Sequence, residues 1–199
     1  MTPSNPPLPD FPRHGQLSPV SDRPGQLLIA SSPLRDPNFH RTVVLIIRDD
    51  ENGTFGLVLN RPLETTVKEA VAQAMSMDCQ VESPLHLGGP CEGLLTVLHL
   101  QAEFGETEVL SGVYFTAERE KIEQIMSENP KPAKYFAGYS GWSAGQLDAE
   151  MESGAWILTP AEKTLLFASP DDMWNRIITQ VTIGKWVDVD RMPEDPSVN

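Results

Sequence analysis

The stretch from Lys134 to Leu158, KYFAGYSGWSAGQLDAEMESGAWIL, constrains the fold more than any other because its hydrophobic period changes twice. Lys134 to Gly138 reads as a short buried strand. Gly138 and Gly141 then permit a sharp turn over Gly138-Tyr139-Ser140-Gly141-Trp142. Ser143 and Gln146 have the S/T-x-x-E/Q spacing of a capping box, in which each side chain meets an N–H left open at a helix start. Ala144, Leu147 and Met151 give an apolar stripe, and Gly154 stands where a helix ends. The predicted unit is strand, glycine turn, helix, strand. Its turn would offer free backbone N–H groups and the positive end of a helix dipole, where an anion or a reacting oxygen can be held.

The rest of the chain supplies the elements around this unit. Gln26 to Ala30 and Thr42 to Arg48 read as strands, Asp49 to Gly53 as an x-N-G turn and Thr54 to Asn60 as the return strand, with Gly56 marking a bulge. Thr66 and Glu69 form a second capping box, opening a helix that ends near Met75. Strands at Leu85 to Leu87 and Leu94 to Leu100 flank Gly88-Gly89-Pro90, and the acidic segment Gln101 to Val109 reads as an exposed loop. Gly112 to Phe115 is a strand, Thr116 caps a helix that stops at Asn129-Pro130, and Leu165 to Phe167 is a short strand. Ser169-Pro170 opens a last helix whose core face, Met173, Trp174, Ile177, Ile178 and Val181, runs to Gly184. Strands outnumber helices and hairpins mix with crossovers. The expected class is α+β: a single compact domain with a mixed, strongly curved, barrel-like sheet and about four helices.

Residues 1–24 carry seven prolines and read as a disordered leader, residues 25–187 as the folded domain, and residues 188–199 as an acidic flexible tail. Of the net charge of −13, the leader contributes zero and the tail −3, which leaves −10 on the domain. A surface this negative repels phosphate backbones and anionic lipid, so direct nucleic-acid binding and membrane association are not expected. No apolar run approaches the roughly 18 residues of a membrane span, and the N-terminus lacks a basic segment followed by an apolar one. Cys79 and Cys91 stand outside any C-x-x-C spacing, as in a reducing compartment. A cytoplasmic monomer is expected.

Five segments, GYSGWSAGQLDAEMESGAWIL, Gly25-Gln26-Leu27-Leu28-Ile29-Ala30, Asp36 to Phe39, Gly56-Leu57-Val58-Leu59-Asn60-Arg61-Pro62 and Gly88-Gly89-Pro90, together resemble the YqgE/AlgH family. That family is written with a GYAGWGAGQLE-like core and a GAWL-like strand after it, and the resemblance covers Gly25 to about Gly184. It implies an α+β fold and a regulatory role, with no established reaction.

Ser140 lies between a predicted strand and helix as in a G-x-S-x-G nucleophile elbow, but Trp142 occupies the last glycine's place, where that turn brings backbones close. The family pattern commonly has alanine at Ser140, so a structural serine is the expectation. His40, His86 and His99 show no metal-ligand spacing, and Cys91 stands where the family has valine and reads as an apolar filler. No motif calls for a metal or cofactor. Asn60-Arg61-Pro62 ends an apolar hairpin, where clefts open; the alternative is that Asn60 bonds the adjacent turn and Arg61 pairs with an acid such as Asp36. The hypothetical cleft comprises Asn60, Arg61, Gly88, Gly89, Tyr139, Ser140, a partly exposed Trp142, and Gln146. It suits a small anionic ligand or a protein partner, so the leading expectation is a non-enzymatic, ligand- or protein-binding regulatory module. The alternative is a small hydrolase using the helix N-terminus at Ser143 as an anion hole.

Overall fold

The computed structural model describes residues 22–75 and 79–186; the expected tail and most of the expected leader lie outside them. The apolar runs early in the chain, each cut by turn residues, become a meander of β1 (Gln26–Ala30), β2 (Val43–Asp50) and β3 (Gly53–Val58). The bulge expected at Gly56 falls on the facing strand, where the β2–β3 register slips between Ile46 and Arg48. Gly56 itself allows close approach, since a Cβ there would stand 2.8 Å from Val44 Cγ1.

After β4 (Pro62–Thr66) comes α1 (Val67–Met75), whose capping box forms in full: the Thr66 N–H donates to the Glu69 carboxylate at 2.8 Å and the Glu69 N–H to Thr66 Oγ1 at 3.2 Å. There follow β5 (Pro84–Leu87), β6 (Cys91–His99), β7 (Thr107–Leu110), β8 (Val113–Thr116), α2 (Arg119–Glu128), β9 (Ala133–Ser143), α3 (Gln146–Glu152), β10 (Trp156–Pro160), α4 (Lys163–Leu166) and α5 (Met173–Trp186). The sheet runs β10-β1-β2-β3-β9-β6-β8-β7, with β4 and β5 branching onto β9. It is mixed because β5 is parallel to β9. It is also strongly curled: a Cβ on Gly25, just before β1, would lie 2.4 Å from the Val109 carbonyl oxygen in β7, at the far end of the path. The class is α+β, as expected.

Two cores result. Leu28, Leu45, Leu57, Leu98, Phe115 and Phe136 belong to one that fills the curl. The other lies between the opposite face of β5, β6 and β9 and the helices α1 and α2, with Val67, Leu85, Val97, Ile125 and Tyr135 in contact. Successive residues of β6 and β9 serve different cores, as a period of two requires.

Several local expectations are corrected. The glycine turn at Gly138 to Trp142 is part of one eleven-residue strand, β9. Residues 135–137 pair with β5 and residues 140–143 with β3, and Gly138, at φ +71°, bends the strand where it changes neighbours. Part of the acidic segment expected as a loop pairs with β8 as β7, burying Val109. Thr116 ends β8 and its hydroxyl donates to the Phe104 carbonyl at 2.7 Å, so it caps no helix; α2 starts after Glu118. Leu165 falls in α4, a single helical turn, where a strand was expected. Arg23, assigned to the leader, forms ion pairs with Asp49, a buried residue of β2, and with Asp148.

Candidate functional site

The helix after β9 is not the strand–turn–helix anion hole that the sequence suggests. Ser143 is the last residue of β9, and α3 begins at Gln146, with Gly145 at its N-cap. Half of the expected capping box is present, the Ser143 N–H donating to Gln146 Oε1 at 3.1 Å. Gln146 then donates from Nε2 to Glu150 Oε1 at 2.9 Å. Glu150 Oε2 accepts the indole N–H groups of Trp142, at 2.9 Å, and Trp156, at 2.8 Å. Burial pushes the Glu150 carboxyl up, but the hydrogen bonds from Trp156, Gln146 and Trp142 outweigh it and hold the group below the usual carboxylate value. Phe39 stacks on Trp142 with centroids 5.7 Å apart and meets Trp156 edge-on at 5.3 Å. Trp142 is 4% exposed, so the expectation that it is partly exposed is corrected: the ring is a plug in the core, and its one polar atom is spent on Glu150.

The expected cleft's glycines come together for a different reason. Gly88 links two strands, donating to the Ala137 carbonyl at 2.8 Å and accepting from the Val58 N–H at 2.8 Å and the Ser140 hydroxyl at 3.1 Å. A Cβ on Gly88 would lie 2.2 Å from the Gly138 carbonyl oxygen, and one on Gly89 2.3 Å from Ser140 Oγ. Backbone crosses backbone here, with no space for a phosphate. Ser140 is fully buried, which is the structural role expected of it. Tyr139 is half-buried and stacks on Phe55 at 5.0 Å.

Asn60 and Arg61 occupy a corner of their own. Asn60 Oδ1 accepts the Val43 N–H and its Nδ2 donates to the Arg41 carbonyl, both at 2.9 Å, so its amide bonds the neighbouring turn. Arg61 donates to the His40 carbonyl at 2.6 Å and not to Asp36, which caps its own turn through the Asn38 N–H. The Arg41 guanidinium lies over the Trp174 ring, 5.3 Å from its centroid. Behind them stands Lys134, whose Nζ reaches the Leu59 and Ala168 carbonyls at 3.5 and 3.4 Å. None of Arg41, Arg61 and Lys134 forms an ion pair among the described residues. Arg41 is also one of three non-glycine residues described at positive φ, +55°. A side chain costs about 1–2 kcal/mol there, and such strain gathers at functional positions. Burial pulls the Lys134 amine down to about 8, and burial with the Lys134 charge brings His86 down to about 4. Among the described residues no group of three or more metal-ligating side chains is present.

The pattern of the AlgH-like family matches residues 27–186. A UPF0301 protein of Chlorobaculum tepidum is 36% identical over 184 residues, spanning 89% of this chain and 96% of its own. The chain belongs to the AlgH-like family. A UPF0301 protein of Thermobifida fusca is 32% identical over 188 residues, covering 88% and 94% of the two chains. The solution structure of the AlgH protein from Pseudomonas aeruginosa superposes with a TM-score of 0.69 at 26% identity, over 91% of this chain and 99% of that one. A Corynebacterium diphtheriae protein shares the fold, with a TM-score of 0.63 at 24% identity over 85% and 91%.

In this AlgH-like chain the predicted site residues thus divide. Gly88, Gly89, Ser140, Trp142 and Gln146 are engaged in holding β9 against its neighbours and α3, while Asn60 and Arg61 frame the corner with Arg41 and Lys134. The sequence reading missed the last two. Lys134 had a signal: period two puts it on one face with Phe136, an apolar face on which a lysine is out of place. Arg41 had none, because its backbone conformation is set by the turn from Asp36 to Thr42.

Proposed function

We propose that this AlgH-like protein is a non-enzymatic binding module for an anionic ligand or the acidic group of a protein partner, held at the Asn60–Arg61 corner. The observation that supports this reading is that Arg41, Arg61 and Lys134 each reach only a ring or carbonyl oxygens next to Asn60 and Arg61 or behind them, with no ion pair among the described residues, in a chain of net charge −13. With acids so abundant, basic side chains left without them are the natural partners of an anion from outside. The binding reading is preferred to a serine hydrolase because Ser140 is fully buried with its hydroxyl on the Gly88 carbonyl. A regulatory role would run through the bound ligand or partner, in the cytoplasm, without direct nucleic-acid contact. Titrating inorganic phosphate or succinate into the labelled protein, followed by amide NMR shifts, tests this. Saturable shifts at residues 40–42 and 59–61 that vanish in Arg61→Gln are expected; shifts that never saturate, or that survive the substitution, overturn the proposal.

A further inference from the structure

We infer that the groove between β10, α4 and α5 binds a small apolar α-amino acid as its zwitterion. The site lies outside the Asn60–Arg61 corner and does not depend on the reading above. Its volume of about 450 Å³ falls in the range of small-molecule sites. The floor is apolar, formed by Leu27 of β1 with Leu165, Ala168, Ile177 and Val181. Leu27 and Ile177 are buried and the other three half-buried. On α5, Ile177 and Val181 stand one turn apart, as do Arg176 and Gln180 beside them, so the helix turns an apolar row and a polar row to the same cavity. The facing wall carries Thr159 at the end of β10, then Glu162 and Thr164.

Charge decides what the groove takes. Arg176 and Glu162 line it together, yet they form no ion pair with each other or with any other described residue. Asp172, one turn before Arg176, accepts instead from the Asn175 amide. A simple anion would suit Arg176 and be repelled by Glu162, and a simple cation would meet the reverse. A molecule that carries both charges on neighbouring carbons, with an apolar side chain for the floor, satisfies all three surfaces at once. The α-amino acid is the smallest such molecule. Its carboxylate can take two N–H bonds from the Arg176 fork, its ammonium can donate to Glu162, and its side chain covers Leu165 and Ile177. The corner differs in this respect, since Arg41, Arg61 and Lys134 face no acid there and select for negative charge alone.

Titrating L-leucine into the labelled full chain at neutral pH, followed by amide NMR shifts, tests the inference. Saturable shifts are expected at residues 159–165 and 176–181. Glycine, with no side chain to cover the floor, should bind at least about tenfold more weakly. Two analogues separate the charges: 4-methylpentanoate lacks the ammonium of leucine, and leucinol lacks its carboxylate. Arg176→Gln should weaken leucine and 4-methylpentanoate about tenfold and leave leucinol no weaker; Glu162→Gln should weaken leucine and leucinol by a similar factor and leave 4-methylpentanoate no weaker. Both side chains are exposed, so neither substitution disturbs the core. Shifts that stay linear with leucine, or that saturate only at residues 40–42 and 59–61, overturn the inference. So does leucine binding that survives both substitutions, or 4-methylpentanoate binding the unsubstituted protein as tightly as leucine.

Discussion

The Glu150 clasp and the Lys134 corner both set a charge against aromatic rings, and they treat it in opposite ways. Glu150 accepts three N–H donors and lies below its usual pKa; Lys134 gives two long contacts to carbonyls and lies at about 8, well below its usual value. Hydrogen bonds stabilise the first charge more than burial penalises it, whereas nothing near the second does so. A polar group whose capacity is used up internally is a fastening. One that stays short of partners retains capacity for something outside. The stretch richest in glycine, tryptophan and capping residues turns out to be the fastening, and the open capacity belongs to a lysine at the head of the same strand.

The contrast breaks most readily at Trp142. Trp142→Ala should lower stability by about 3–5 kcal/mol in denaturant unfolding, as deletion of a buried aromatic does. A loss under about 1 kcal/mol would mean that the ring is not a core plug and would return it to the candidate site.

A pH titration sharpens the other side. In the folded protein Lys134 titrates near 8 and in the unfolded chain near 10.5, so between these values the unfolded state holds more protons and stability rises with pH. The penalty is fully present below about pH 8 and relieved by about pH 10.5. Relative to Lys134→Met, which removes this group, the wild type should gain up to about 3 kcal/mol across that window. Parallel curves for the two proteins would mean that the amine titrates alike in the folded and unfolded chains and that burial does not hold it below its usual value.

Glu150→Ala should come next, at about 1–3 kcal/mol, since it leaves two buried indole N–H groups without an acceptor. Chemical denaturation reads it, and a silent substitution would show the clasp to be incidental. The smallest effect is expected for Arg41→Gly. Relief of the positive φ and the added chain entropy of glycine are each about 1 kcal/mol and opposed, so thermal unfolding should barely move while phosphate binding at the corner is lost. A variant that both unfolds early and still binds would reverse the assignment.

Local signals in the sequence were enough where both interacting groups lie close along the chain. The β2–β3 hairpin with its Asn52-Gly53 turn, the Thr66–Glu69 box and the stop of α2 at Asn129, whose φ is +47°, are of this kind. What depended on a distant partner was hidden. Gly138 to Trp142 has the residues of a turn, and only the presence of β3 at its side makes it strand. The acidic run containing β7 looks like a loop until β8 pairs with it. The curled sheet was legible from the mixture of hairpins and crossovers. The site was legible at Asn60 and Arg61, whereas Trp142 misled because a tryptophan beside glycines has the same sequence whether it is a wall or a plug.

The pairing of β1 with β10, Gln26 opposite Pro160, sets a schedule for synthesis. As the chain leaves the ribosome, β1, β2 and β3 can zip together as soon as residue 60 or so is out. The outer edges of β1 and β3 must then wait for β10 and β9, which come from the last third of the chain. Through that interval a largely apolar three-stranded ribbon offers two unpaired edges to any neighbour, the condition under which strands pair with the wrong chain. Slow translation between about residues 60 and 160 should therefore reduce the yield of soluble protein more than the same delay placed before residue 26.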